Sequence, residues 1–229
     1  MKRVLASWLI HLAMWSCGVA AAQGGRSPAC PEAQGFRIEG RHNKLEIVDT
    51  TSGQVLKRIP VAAADGKRPS RVATVCFAAT RQSFVVSFEA LPEVWEISID
   101  PKAPDLYQGL VHDFRMGEGV PERGYLGVRR TRLDAPLPEF VLDGTGAYVL
   151  GCRVDSPVGQ CSLMLLHLDV RRRIGQFALQ GKPDLGRSRA ASGGTDPSME
   201  LVDQQGVLRW HLDLRNDRLI ELSAPKSSE

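Results

Sequence analysis

Leu165-Leu166-His167-Leu168-Asp169 and Arg209-Trp210-His211-Leu212-Asp213 are two copies of one phrase. Leu45-Glu46-Ile47-Val48-Asp49 and Trp95-Glu96-Ile97-Ser98-Ile99-Asp100 are two more. The residue before each Asp is apolar (Val48, Ile99, Leu168, Leu212). Two places earlier three copies are apolar again, at Ile97, Leu166 and Trp210, and Glu46 is the exception. Period-two alternation is the mark of a half-buried strand, and an Asp at its end opens a turn by bonding its own backbone. Ser52-Gly53, Pro101-Lys102 and Asn216-Asp217 supply turn residues after three of the copies.

The four aspartates are 51, 69 and 44 residues apart. Propeller blades repeat at roughly 40–50 residues, so two spacings fit a blade. The third fits a blade carrying an insertion, read between Pro104 and Pro138. No stretch shows convincing 3.6-residue periodicity. The fold expected is all-β and β-propeller-like, with about four blades over residues 36–224. Residues 23–35 are a Pro/Gly-rich leader and 225–229 a tail. Four blades either close a small ring or form an arc, half of a larger propeller; two such arcs in a homodimer would make a ring of eight.

The N-terminus reads as an address. Met1-Lys2-Arg3 is a basic start, Val4 to Val19 is mostly apolar, and Ala20-Ala21-Ala22 offers small residues for cleavage before Gln23. His11 interrupts the run, against a retained span, which wants about 20 apolar residues. Met14-Trp15-Ser16 makes a poor lipoprotein signal ahead of Cys17, so residues 1–22 are expected to be a cleaved signal peptide and the protein periplasmic. Four cysteines then remain, with three connectivities open. Cys152 and Cys161 flank a turn-like loop between apolar runs and suit a cross-hairpin bridge, leaving Cys30 with Cys76. No CxxC or clustered His favours a metal instead.

The chain has 229 residues, 43% hydrophobic and 24% charged, with a formal net charge of +3. This is ordinary globular composition and excludes a disordered chain. The pI near 8.7 suggests nucleic acid, but without Lys2 and Arg3 there are 27 bases against 26 acids. No electrostatic footprint for a phosphate backbone survives.

From Ser83 to Asp134 the residues carry a resemblance. Ser83-Phe84-Val85-Val86-Ser87-Phe88, Leu91-Pro92-Glu93-Val94-Trp95-Glu96-Ile97-Ser98 and Asp100-Pro101-Lys102-Ala103-Pro104 lead into GLVHDFRMGEG, Gly109 to Gly119. With Arg129-Arg130-Thr131 and Leu168 to Ile174, these resemble the C-terminal half of the NirF family of haem d1 biosynthesis proteins. That family is related to the haem d1 propeller of cytochrome cd1 nitrite reductase. The likeness covers roughly Phe36 to Gly186. It implies a periplasmic protein of denitrification that binds haem d1 or a tetrapyrrole precursor, accessory to its maturation or delivery, with the nitrite reductase or haem assembly proteins as partners. The departures are specific. The family's N-terminal half has no counterpart here, the blade at Phe140-Val141-Leu142-Asp143 lacks a distal His, and Asp184 stands where relatives tend to carry His.

His112 is the candidate iron ligand, beside Asp113, Arg115 and Glu118. Arg115, Arg129 and Arg130, with Arg132, are candidates for bidentate bonds to tetrapyrrole carboxylates. The plainer reading is a loop bonded to itself across a blade. His167 and His211 alternate with apolar neighbours and read as hydrogen-bonded or solvated; His42 reads as surface. Trp95 and Trp210 read as blade packing, and Arg171-Arg172-Arg173 as a solvated run or an anion contact. No nucleophile motif, metal motif or phosphate loop is present, and catalysis is left unsupported. The alternative function is a shortened, cofactor-free propeller acting as a protein-interaction module.

Overall fold

The computed structural model describes residues 30–63, 66–107, 122–153, 155–190 and 197–222. They form four antiparallel meanders and, among the described residues, no α-helix. The first sheet has three strands, β1 (Phe36–Arg41), β2 (Lys44–Asp49) and β3 (Val55–Pro60). The second has β4 (Val72–Ala78), β5 (Ser83–Phe88), β6 (Glu93–Ser98) and β7 (Val128–Arg132). The third has β8 (Glu139–Leu142), β9 (Tyr148–Cys152), β10 (Gln160–His167) and β11 (Arg172–Gln180). The fourth has β12 (Asp184–Ala190), β13 (Ser198–Val202), β14 (Leu208–Asp213) and β15 (Arg218–Glu221). Strands β4, β8 and β12 are the inner edges of successive sheets and lie side by side. This is a propeller-like stack of blades.

Three apolar clusters hold the stack. Leu45 and Ile47 of the first sheet pack with Phe84, Val86, Phe88, Trp95 and Ile97 of the second. Val85 and Val94 point the other way, to Phe140, Val149, Met164 and Leu166 of the third. Leu163 and Leu165 then meet Leu201, Trp210 and Leu212 of the fourth. The alternation of each central strand thus sends successive residues into opposite interfaces. Phe88 meets Trp95 edge-on at 4.6 Å, a favourable aromatic geometry. Among the described residues no cluster joins the fourth sheet to the first. The arc is open.

The repeat phrase shows why. Counting back from its Asp, the odd positions face the preceding sheet: Trp95, Ile97 and Ile99 in β6 and just beyond, Met164, Leu166 and Leu168 at β10, Trp210 and Leu212 in β14. In β2 those positions hold Lys44, Glu46 and Val48, on a face with no preceding sheet among the described residues. Glu46, the exception to the repeat, marks the open end. The same count makes β2 the equivalent of the third strand of every other sheet. The first sheet therefore lacks an inner strand among the described residues, and β1 is its free edge.

The insertion is shorter than the Pro104–Pro138 reading. Residues 128–132 are strand β7, paired with β6 from Val94↔Thr131 to Ile97↔Val128. Their arginines hid an ordinary outer strand, because β7 is buried through its guanidinium contacts as well as through Val128.

Two disulfides cross-link the chain. Cys30 is bonded to Cys76 of β4, 46 residues on, and Cys152 of β9 to Cys161 of β10. In β9, Gly151 lets the strand lie close to its neighbour, since a Cβ there would stand 2.4 Å from the Glu139 carbonyl oxygen. No described helix is long and apolar enough to cross a membrane.

Candidate functional site

The turns that follow β2, β6, β10 and β14 lie at equivalent ends of their sheets, and the insertion is the β6–β7 turn enlarged. Its neck is fixed. Leu106 N–H donates to the Glu122 carbonyl at 2.7 Å and Glu122 N–H donates back at 3.0 Å. Lys57 of β3 reaches over from the first sheet, its Nζ donating to Glu122 Oε1 and to the Leu126 carbonyl, both at 2.9 Å. Gly124 is required by closeness, for a Cβ there would lie 2.1 Å from the Pro104 carbonyl oxygen. His112, Asp113, Arg115 and Glu118 lie outside the described residues.

The β7 arginines have partners. Arg130 lies over Trp95, its guanidinium carbon 4.3 Å from the ring centroid, and donates to Glu93 Oε2 at 3.4 Å and the Ala62 carbonyl at 3.3 Å. Trp95 Nε1 donates to the same Glu93 oxygen at 2.7 Å. Arg129 Nη1 stands 3.3 Å from Glu96 Oε2. The other oxygen of Glu96 accepts from Arg81 Nε at 2.8 Å, and Arg81 Nη1 reaches Asp169 Oδ1 of the third sheet at 2.8 Å. Burial works against the charge of Arg81, but bonds to Glu96 and Asp169 outweigh it and hold its guanidinium above the usual range. Arg129 and Arg130 thus neutralise two carboxylates, Glu93 and Glu96, that are nearly inaccessible to water.

The repeat's aspartates mostly close turns. Asp49 Oδ1 accepts from the N–H groups of Thr51 and Ser52, both at 2.8 Å. Asp213 accepts from Arg215, Asn216 and the Asn216 amide. These donors lower both carboxyls below their ordinary range, Ser52 N–H leading for Asp49 and the Asn216 side chain for Asp213. Asp169 differs, since its carboxylate joins Arg81 across two sheets. His167 packs edge-on against Tyr148 at 4.6 Å, and its Nδ1 accepts from the Asp169 N–H at 3.2 Å. His211 sits on the outer face of the fourth sheet between Glu200 and Ile220. His42 turns the β1–β2 hairpin with φ of 52°.

A cavity of about 260 Å³ opens where β4, β8 and β12 converge, bounded by Thr74, Glu139, Lys182, Asp184 and Gln204. It adjoins a hollow of about 690 Å³ between the third and fourth sheets, the two sharing Lys182 and Gln204. Their charges are paired as well: Lys182 with Glu139 at 3.0 Å, Arg209 with Asp203 at 2.7 Å. Asp203 is held below its ordinary range, by Arg209 first and then by the Val207 N–H. The hollow is of ligand size and its walls suit a polar molecule rather than an apolar one. No three His, Cys, Asp or Glu side chains gather into a metal site among the described residues.

Sequence reading missed Glu93, Glu96 and Arg81. A Glu on both sides of Trp95, in a strand whose Val94, Trp95 and Ile97 are apolar, was the available signal: a buried carboxylate requires a cation.

No protein-family model and no curated protein matches the chain. Solved structures do. The dihydro-haem d1 dehydrogenase NirN, determined in complex with DHE, superposes with a TM-score of 0.61 at 21% identity, over 82% of this chain and 35% of that one. AztD from Citrobacter koseri, in its apo form, gives 0.46 at 11% identity, over 84% and 46%. BamB from Moraxella catarrhalis gives 0.44 at 12%, over 83% and 47%. The chain spans about a third of the NirN structure's length. The shared feature is the propeller fold.

Proposed function

We propose that this chain is an exported propeller arc that binds haem d1 or a tetrapyrrole precursor, accessory to haem d1 maturation or delivery in denitrification. The observation that carries the reading is the resemblance of Gly109–Gly119 and its flanking strands to haem d1 biosynthesis proteins. The fold likeness to NirN supports it. Two disulfides and the N-terminal pattern support export to an oxidising periplasm.

The described residues test the fit of such a group, and they fit it in part. None of the described histidines is placed as an iron ligand: His167 is engaged with Tyr148 and Asp169, His211 faces outward, and His42 forms a turn. His112 remains the candidate iron ligand and Arg115 a candidate carboxylate contact. Arg129 and Arg130 serve the carboxylates only as second partners, each half-exposed and bonded to a glutamate by one edge. The reading is of a binding protein.

Titration of the full-length processed protein with haem d1 tests this. The expected result is a saturable absorbance change at one haem per chain, weakened at least about tenfold by His112→Ala. No spectral change at micromolar haem d1 overturns the reading.

A second reading, a cofactor-free interaction module, is favoured by one observation: the open ends of the arc. It expects a chain silent towards haem and indifferent to His112→Ala.

A further inference from the structure

We infer that the free edge of β1 is a docking site for an extended segment of a partner protein, added antiparallel as the missing inner strand of the first sheet. The inference is independent of haem binding. It rests on which backbone groups of β1 have no partner among the described residues.

Thr50 N–H donates to the Gly35 carbonyl at 3.0 Å, and the pairing runs on through Arg37↔Val48, Glu39↔Glu46 and Arg41↔Lys44. In an antiparallel ladder bonded pairs alternate with unbonded ones, so the odd-numbered residues bond to β2. The N–H and C=O groups of Phe36, Ile38 and Gly40 point the opposite way. No strand pairs with that side of β1 among the described residues. In the other three sheets the corresponding second strand is covered by β4, β8 or β12. A row of unpaired backbone groups of this length is a template for another strand.

The side chains beside the edge specify what the strand must look like. Phe36 and Ile38 pack partly buried against the cluster between the first and second sheets. The end of the edge at Gly40 lies against β4, where a Cβ would meet Val72 at 3.0 Å. An added strand presents alternate residues to this apolar side, extending the cluster. Its other residues share the outer face with Arg37, Glu39 and Arg41. That face carries four cations, Arg37, Arg41, Lys44 and Arg58, against two carboxylates, Glu39 and Glu46. Glu39 bonds both Arg37 and Arg41, and Glu46 pairs with Arg41 and Arg58, so the face keeps a net two positive charges, and its guanidinium groups remain about half-exposed or more. The occupant is therefore an extended segment alternating apolar with acidic residues, about five residues long to match the edge.

The probe is the peptide Glu-Val-Thr-Val-Glu, blocked at both ends, so that its valines face the apolar side and its glutamates meet Arg41 and Arg37. Titrated into the full-length processed protein, it is expected to bind saturably and to slow amide exchange at Ile38 and Gly40. The Lys-Val-Thr-Val-Lys counterpart should bind at least about tenfold more weakly. N-methylation of the two valines, whose N–H groups face β1, should abolish binding, whereas N-methylation of the threonine should not. Ile38→Pro removes an edge donor without touching the β1–β2 ladder and should weaken binding to a similar degree. The methylated peptides keep the test decisive if that variant misfolds.

Protection of Phe36, Ile38 and Gly40 amides before any peptide is added, independent of protein concentration, would show the chain's own residues in the slot and overturn the proposal. Protection that rises with protein concentration would show a second copy there and overturn it too. Unprotected amides with no peptide binding would do the same.

Discussion

Glu46 accepts from Arg58 Nε at 2.8 Å on an outer sheet face, at the repeat position that holds buried Trp210 in the fourth sheet. One position, counted from one aspartate, is a core residue where a preceding sheet exists and an ion pair where none does among the described residues. The difference reports the direction and the end of the arc.

It also predicts opposite responses to substitution. Glu46→Leu should change stability by less than about 1 kcal/mol, since its partners Arg41 and Arg58 are largely exposed and water screens their pairing. Its effect should appear as self-association, because it makes an end face apolar. Trp210→Ala removes a large side chain from between two sheets and should cost about 3–5 kcal/mol. Urea unfolding and sedimentation of the two variants separate these outcomes.

The disulfides should differ in worth. The Cys30–Cys76 bridge spans 46 residues and Cys152–Cys161 only 9. By loop-closure entropy, loss of the first should cost about 4 kcal/mol and of the second about 2.5 kcal/mol. Paired Cys→Ser variants, unfolded in urea, should keep that order.

The four aspartates were legible because a turn aspartate after an alternating strand is a local signal. The glutamate partners of Arg129 and Arg130 were not. Glu96 and Glu93 lie 33 and 37 residues earlier, across the β6–β7 connection. Along the chain the arginines read as an unpaired basic cluster, and only the ladder brings the acids beneath them. The three-stranded first sheet was hidden for a related reason. Charged β1 looks like any solvated strand until the neighbouring sheets show which strand it matches.

Arg81 should matter more than its place in Ala79–Arg81, the short 3-10 turn between β4 and β5, suggests. Its guanidinium joins Glu96 to Asp169 across the second and third sheets. Arg81→Met leaves Glu96 with Arg129 alone and should cost about 2–3 kcal/mol, whereas Asp169→Ala, which removes an exposed carboxylate and leaves Arg81 bonded to Glu96, should cost under about 1 kcal/mol. Thermal unfolding at neutral pH reads both.

Acid should weaken the fourth sheet through Asp203. Arg209 and the Val207 and Gln205 N–H groups depress its carboxyl below the ordinary 3.8. A depressed folded value stabilises above the unfolded value and loses that contribution as pH falls through the folded one. Wild type should therefore lose stability from about pH 4 downward more steeply than Asp203→Asn. Urea midpoints across that range should show the flatter profile for the variant.

The central structural claim is an open arc of four sheets. Spin labels at Glu46 and His211, on the outer faces of the first and fourth sheets, test it by pulsed electron resonance. An open arc predicts a separation well beyond the roughly 10 Å between packed sheets, unchanged on dilution. A short distance within one chain would mean that the fourth sheet packs on the first and the ring is closed, and it would contradict the account.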